Sequence, residues 1–308
     1  MNRLVIAIGC LVTAPCVQAE SSPACPPVEG VAVQVLGSGG PIADDARAST
    51  AYVLWVDGQS RALIDMGSGS FVRFGEADAD FTALDFIGLS HFHTDHAADF
   101  VALLKSGNFS GRKRELPIAG PSGTDRFPGL NEFLAANLDK DTGAYRYLGG
   151  YLNGAGSQTR LVPSEVSDES GPRNLLEDTE SELAVYAQRV PHGIVPALGF
   201  RVEVRGRSFV FASDQNGSDP DFVTFAKGAD LLVMHMVIPE GAGNRAKQLH
   251  AEPSRIGEIA AAADADVLLL SHFMARSLRN LEDNVAAVVN AFDGQYLLAE
   301  DLLCVAID

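Results

Sequence analysis

Basic residues are scarce in this chain: 23 Lys and Arg stand against 40 Asp and Glu in 308 residues, a net charge of −17. Such an acidic surface repels a phosphate backbone at long range, which argues against a nucleic-acid partner unless a local basic patch exists. The nearest candidate, "GRKRE" at 111–115, reads as an exposed turn. Long apolar runs are missing from the body of the chain, so no membrane span is expected there. The one apolar run, "LVIAIGCLVTAPCV" at 4–17, follows Arg3, is interrupted by Pro15 and leads through "VQA" into a polar stretch from Glu20. That is the layout of a secretory signal peptide, residues 1–19, cleaved after Ala19; it predicts a periplasmic or secreted protein. A lipid anchor on Cys10 or Cys16 is the lesser alternative, because neither has a good lipobox before it.

Cysteine is equally sparse. Of four, two fall in the signal segment, and Cys25 and Cys304 remain near opposite ends of the rest. In an oxidising compartment they can form one disulfide tying the termini together, or stay as two free thiols. No internal repeat is visible. The glycine-rich "LGSGGP" at 36–41 lacks the further glycine and the following helix of a dinucleotide-binding turn, so it reads as a tight turn.

What the chain does have is apolar material for a large core: 46% hydrophobic residues against 20% charged, consistent with a single domain over 20–308. Short β-branched or alternating runs predict strands at 31–36, 50–56, 61–66, 86–90, 182–190, 199–204 and 208–213. "DG" at 57–58 and "RG" at 205–206 predict hairpins. Helices are expected at 96–107, 125–138, 220–227, 254–264 and 279–292, with strands and helices alternating in the last third. The fold class is therefore α/β, with mixed sheets covered by helices. Residues 139–181 read as irregular, and Tyr145, Tyr147 and Tyr151 suggest a loop facing the substrate.

Histidine is also rare, seven in all, yet three of them fall within "SHFHTDH" at 90–96, directly after the apolar "FIGLS". His91 and His93 can converge on one cation while Asp95 and His96 serve another; imidazole and carboxylate donors suit zinc, iron or manganese. With this motif the chain resembles the metallo-β-lactamase fold superfamily of binuclear hydrolases. Further matches follow in order: His192 in "RVPHGIVPALGF", Asp214 in "SFVFASDQNG" and His272 in "DVLLLSHF". The resemblance implies an αββα sandwich, two mixed β-sheets face to face with helices on both outer faces. It also implies two divalent metal ions, zinc first and iron or manganese as alternatives. His91, His93 and His192 would hold one, and Asp95, His96 and His272 the other, with Asp214 between them. Asp65 in "LIDMGSGS" is expected to hydrogen-bond a ligand histidine from behind.

The segment "HAEP", a helix, then "LSHF" resembles the branch that contains ribonuclease Z, secreted arylsulfatases and cyclic-nucleotide phosphodiesterases. That resemblance makes His250 the general acid to the leaving oxygen, so His250 and Asp95 form the expected catalytic pair. Ribonuclease Z usually has His-Glu where this chain has His235-Met236, so either another acid, such as Glu252 or Glu240, substitutes, or His250 is less strongly activated. The 192–214 interval has no room for the tRNA-gripping arm of bacterial ribonuclease Z. The implied activity is hydrolysis of small phosphodiesters or aryl sulfates by a metal-activated hydroxide. A β-lactam or lactone hydrolase, a ribonuclease Z-like nuclease without the arm, and a metal-binding or redox protein without hydrolytic turnover are the alternatives. The expected partner is a small-molecule ester; the oligomeric state stays open, a homodimer included.

Overall fold

The computed structural model describes residues 25, 29–167, 171–178 and 182–307. The proposed signal segment lies outside the described residues. Among those residues, no helix is long and apolar enough to cross a membrane.

Two seven-stranded sheets make up the framework. In the first, β1 (Val31–Gly37), β2 (Ala51–Val56), β3 (Gln59–Ile64), β4 (Phe86–Gly88), β5 (Leu116–Pro121) and β6 (Leu161–Val166) lie side by side. The second runs from β7 (Arg173–Asp178) through β8 (Leu183–His192), β9 (Val195–Val204), β10 (Arg207–Phe211), β11 (Leu231–His235) and β12 (Val267–Ser271) to β13 (Gln295–Leu298). The last strand, β14 (Cys304–Ile307), returns to pair with β1 in the first sheet. Each sheet is antiparallel in one half and parallel in the other, as hairpins and helical crossovers respectively require. The αββα sandwich is therefore observed.

Strand burial explains the sequence pattern. Val31, Val33 and Val35 of β1 join the core between the sheets, while Ala32 and Leu36 face helices on the other side, so the strand is apolar on both faces. Phe86 and Phe200 meet edge to face across the gap, their ring centroids 6.1 Å apart. Burying each such ring stabilises the fold by roughly 1.5–3 kcal/mol. Both expected hairpins form. Asp57 (φ 48°) with Gly58 and Arg205 (φ 52°) with Gly206 take the left-handed turns that match strand twist. The two turn tips are ion-paired to each other through Arg205 and Asp57.

The stretch read as irregular is more ordered than its composition suggests. Within 139–181 the chain forms a short 3-10 turn, a four-residue helix and the edge strands β6 and β7. Edge strands carry polar outer faces, which erases the apolar alternation that would reveal them. The tyrosine loop is corrected as well. Tyr151 is fully buried and donates to the Leu104 carbonyl at 2.6 Å. Tyr145 and Tyr147 are exposed, the latter beneath Lys105, and neither lines the cleft described below. Cys25 and Cys304 are joined in a disulfide, Cα to Cα 5.7 Å.

Candidate metal centre

The loops at one edge of the sandwich gather all seven histidines of the chain. His91 and His93 leave β4, and Asp95 and His96 sit on the following turn of helix Thr94–Ala97. His192 ends β8, Asp214 follows β10, His235 ends β11 and His272 follows β12. His250 precedes the helix Pro253–Ala263. The backbone is bent to bring them in: Asp65, Ser213 and His272 all have left-handed φ, 59°, 56° and 54°. Each such residue costs on the order of 1–3 kcal/mol, a strain that marks functional sites.

Among the described residues the donor atoms fall into three overlapping groups. His91, His93 and His192 form the first; His96, Asp214, His235 and His272 the second; and His192, Asp214 and His250 the third. Asp95 joins the second group, its Oδ2 lying 3.2 Å from His272 Nε2. Asp214 links the first two, Oδ2 at 3.6 Å from His192 Nε2 and Oδ1 at 3.3 Å from His272 Nε2. Every metal ligand expected from the sequence is thus brought into one cluster.

Hydrogen bonding behind the cluster fixes which ring nitrogens point inward as lone pairs. His192 Nδ1 donates to the Leu249 carbonyl at 2.9 Å, so its buried Nε2 is an acceptor with no partner among the described residues, facing another acceptor on Asp214. His96 Nδ1 donates to Asp65 Oδ2 at 2.8 Å, and its Nε2 meets His272 Nε2 at 3.2 Å. The His192 Nε2 lone pair and Asp214 Oδ2 repel unless a cation lies between them, and this donor set is the imidazole-carboxylate chemistry of borderline metals. The residues fit divalent metal binding. Asp65 takes the supporting position expected of it and also accepts from Ser90 N and Oγ, both at 2.7 Å.

The electrostatics of the metal-free cluster agree. Burial, with the charge of His96, pushes His91 well below the usual imidazole range. Burial also works against charge on His96, but Asp65, Asp214 and Asp95 outweigh it and raise its pKa to about 9. For Asp95, burial is overcome by the hydrogen bond from His272 and the charge of His96, which bring it down to about 2. Burial likewise opposes ionisation of Asp214, yet His272, His250 and His235 hold it well below the usual carboxyl range.

Two groups escaped the sequence reading. His235 donates from Nδ1 to Asp214 Oδ1 at 2.8 Å, and its Nε2 lies 3.2 Å from the hydroxyl of buried Tyr52. Burial lowers its pKa to about 4, so the ring is neutral at neutral pH. Asp214 can only accept, hence Nδ1 carries the proton and Nε2 accepts from Tyr52. With both nitrogens engaged, His235 braces Asp214. A signal existed, since "LLVMH" ends an apolar strand in histidine much as "VLLLSH" does; nothing in the sequence pointed to Tyr52. The other group is Arg276, four residues beyond His272 and part of the cleft wall.

His250 stands over the cluster, Nδ1 at 3.7 Å from Asp214 Oδ2 and without a hydrogen-bond partner among the described residues. The carboxylate expected to orient it is not supplied by Glu240 or Glu252. Glu240 accepts from Ser254 N and Oγ, and Glu252 accepts from Gly241 N and pairs with Lys247 at 3.2 Å. Both carboxylates pin the 240–254 loop instead, and Met236 is wholly buried in the core. Burial first, then neighbouring positive groups including Arg276, lower His250 to about 3, so its ring is neutral at neutral pH.

The cluster forms the floor of a cleft of about 580 Å³, walled by Pro41, Phe92, Val237, Leu249 and Met274. A second groove, of about 820 Å³, lies by the Arg205–Gly206 turn. Arg205 and Arg207 there are paired to Asp57 and Asp230, so it offers no convergent chemistry.

Comparison with known proteins agrees with this geometry. Residues 61–273, well over half of the chain, match the beta-lactamase superfamily domain. Ribonuclease Z of Mycolicibacterium paratuberculosis is 28% identical over 294 residues, covering 90% of this chain and 99% of that protein. Human tRNase Z, short form, superposes with a TM-score of 0.69 at 22% identity, over 90% of this chain and 99% of that one. The metallo-beta-lactamase fold protein YhfI from Bacillus subtilis gives 0.68 at 20% identity, over 90% and 100%. These names do not support the expectation, drawn from the acidic charge, of no nucleic-acid partner. The chain belongs to the beta-lactamase superfamily, in the metallo-β-lactamase-fold branch that contains ribonuclease Z, and is a metal-dependent hydrolase.

Proposed function

We propose that this protein is a binuclear, zinc-dependent phosphodiesterase. The observation that carries the reading is the convergence of all seven histidines with Asp95 and Asp214 in one cluster, of which His93, Asp95, His192, Asp214, His250 and His272 line the cleft. His91, His93 and His192 would hold one ion and Asp95, His96 and His272 the other, with Asp214 shared. Such ions, when bound, lower the pKa of water and polarise the phosphoryl group under attack. The chain's own part is positional. Asp95, ionised at neutral pH, accepts a hydrogen bond from the attacking water, and His250 faces the departing oxygen. Being neutral, His250 stabilises that oxygen chiefly by N–H donation and carries no surplus proton to transfer.

The names of the relatives favour RNA as substrate. One observation favours small diesters as a second reading: His192 and Asp214 are joined by the β8–β9 turn, β9 and β10 alone, with no arm to grip a folded RNA. The test is turnover of a 3′-extended tRNA, bis(p-nitrophenyl) phosphate, p-nitrophenyl sulfate, a lactone and nitrocefin by metal-loaded protein. Cleavage of one or both phosphodiesters is expected, with the loss in His250→Ala growing as the leaving group becomes poorer. Turnover of nitrocefin or the lactone alone would overturn the reading. We place the mature protein in the periplasm or outside the cell; the Cys25–Cys304 disulfide supports this, and an N-terminus at Glu20 by mass spectrometry would test it.

A further inference from the structure

We propose that Arg276 is the anion-holding residue of the cleft: its guanidinium receives a non-bridging oxygen of the substrate's phosphoryl group and selects singly charged diesters over neutral esters. This rests on the phosphodiester reading above and narrows it.

The argument begins with an imbalance of charge. Arg276 is half-buried on the short helix Ala275–Leu278, and its Nε donates to the Val237 carbonyl at 3.0 Å. That bond fixes the plane of the guanidinium and leaves the Nη groups uncommitted. Other buried or half-buried arginines here are satisfied: Arg61 pairs with Asp85, Arg207 with Asp230, and Arg112 spends its donors on four backbone carbonyls. Arg276 has no ion pair among the described residues. The one carboxylate whose charge reaches it is that of Asp214, which is shared by the histidine cluster and held by His235. With cations in the cluster the surroundings of Arg276 become more positive still. A guanidinium retained there, partly desolvated, calls for an anion between it and the metal site. Among the described residues it is also the sole Lys or Arg lining the cleft, so it is the one side chain there with a permanent positive charge to meet an anion.

The rest of the wall narrows the ligand further. Pro41, Val237, Leu249 and Met274 surround the space beside Arg276, and none of them donates a side-chain hydrogen bond. A phosphodiester carries one charge and two ester groups, and an apolar or aromatic ester group would lie on this surface. Neutral lactones and triesters would leave the guanidinium without a partner.

The experiment compares wild type, Arg276→Lys and Arg276→Met, each metal-loaded and checked for unchanged thermal unfolding. Bis(p-nitrophenyl) phosphate is the anionic substrate. Diethyl p-nitrophenyl phosphate, which has the same leaving group without the charge, serves as substrate or competitive inhibitor. Calorimetry measures binding of inorganic phosphate. In Arg276→Met the preference for diester over triester should fall at least about tenfold, mainly through KM, and phosphate should weaken by a similar factor; Arg276→Lys should recover part of both. Equal losses on the charged and neutral compounds, or unchanged phosphate affinity, would overturn the proposal. If wild type turns over no phosphodiester, the reading in the preceding subsection fails, while the phosphate titration still decides whether Arg276 holds an anion.

Discussion

At the scale of single residues, the molecule depends on what stands behind the cluster as much as on the cluster. Asp65 holds His96 from the first sheet, and Tyr52 through His235 holds Asp214 across to the second. Partners of this kind typically tune metal affinity by roughly 10–100-fold. His235→Ala should weaken metal retention by that order in a chelator-competition assay, with Tyr52→Phe losing less because the Nδ1 donor remains. Unchanged affinity in His235→Ala would show that Asp214 needs no brace. The seven expected ligands were legible because histidine is rare and the motif is dense. Tyr52 and Arg276 were not, because the meaning of each comes only from a neighbour far away in sequence.

At the scale of elements, the site is a set of strand ends made to converge by close backbone contact. A Cβ on Gly67 would lie 2.1 Å from the Asp95 carbonyl oxygen, and one on Gly40 would lie 2.7 Å from His272 Cε1. The "LGSGGP" turn, read from sequence as a tight turn, thus also packs against a candidate ligand. Gly67→Ala should push the His93–Asp95 segment outward, costing about 1–3 kcal/mol of stability and lowering metal content. Urea unfolding and elemental analysis of the same sample would check both; a variant with full metal content would sink the packing argument. Most strands were readable because both faces of the central ones are apolar. The edge strands β6 and β7 were not, since their outward residues are polar and their pairing partners are distant.

At the scale of the whole molecule, charge and metal are linked. The metal-free protein keeps a proton on His96, with its pKa raised to about 9, and that proton must leave before Nε2 can bind a cation. Metal affinity should therefore climb with pH, by up to about tenfold per unit for this one proton, and flatten above about pH 9. The same raised pKa stabilises the metal-free fold fully below the unfolded value near 6.5, a contribution lost as pH rises through about 9. Metal titrations at pH 6, 7.5 and 9 would show the trend; a flat or falling affinity would contradict it. The acidic balance of the chain was plain from composition, but the place of Arg276 in the cleft was invisible there, because a single arginine is lost among 40 acids.

The central claim is that five histidines, His91, His93, His96, His192 and His272, form one binuclear centre with Asp95 and Asp214. Elemental analysis of the purified protein, set beside an Asp214→Asn variant, tests it most directly. The account predicts close to two divalent ions per chain in the wild type and a clear deficit in the variant. One ion or none in the wild type, after reconstitution at pH 8, would contradict it.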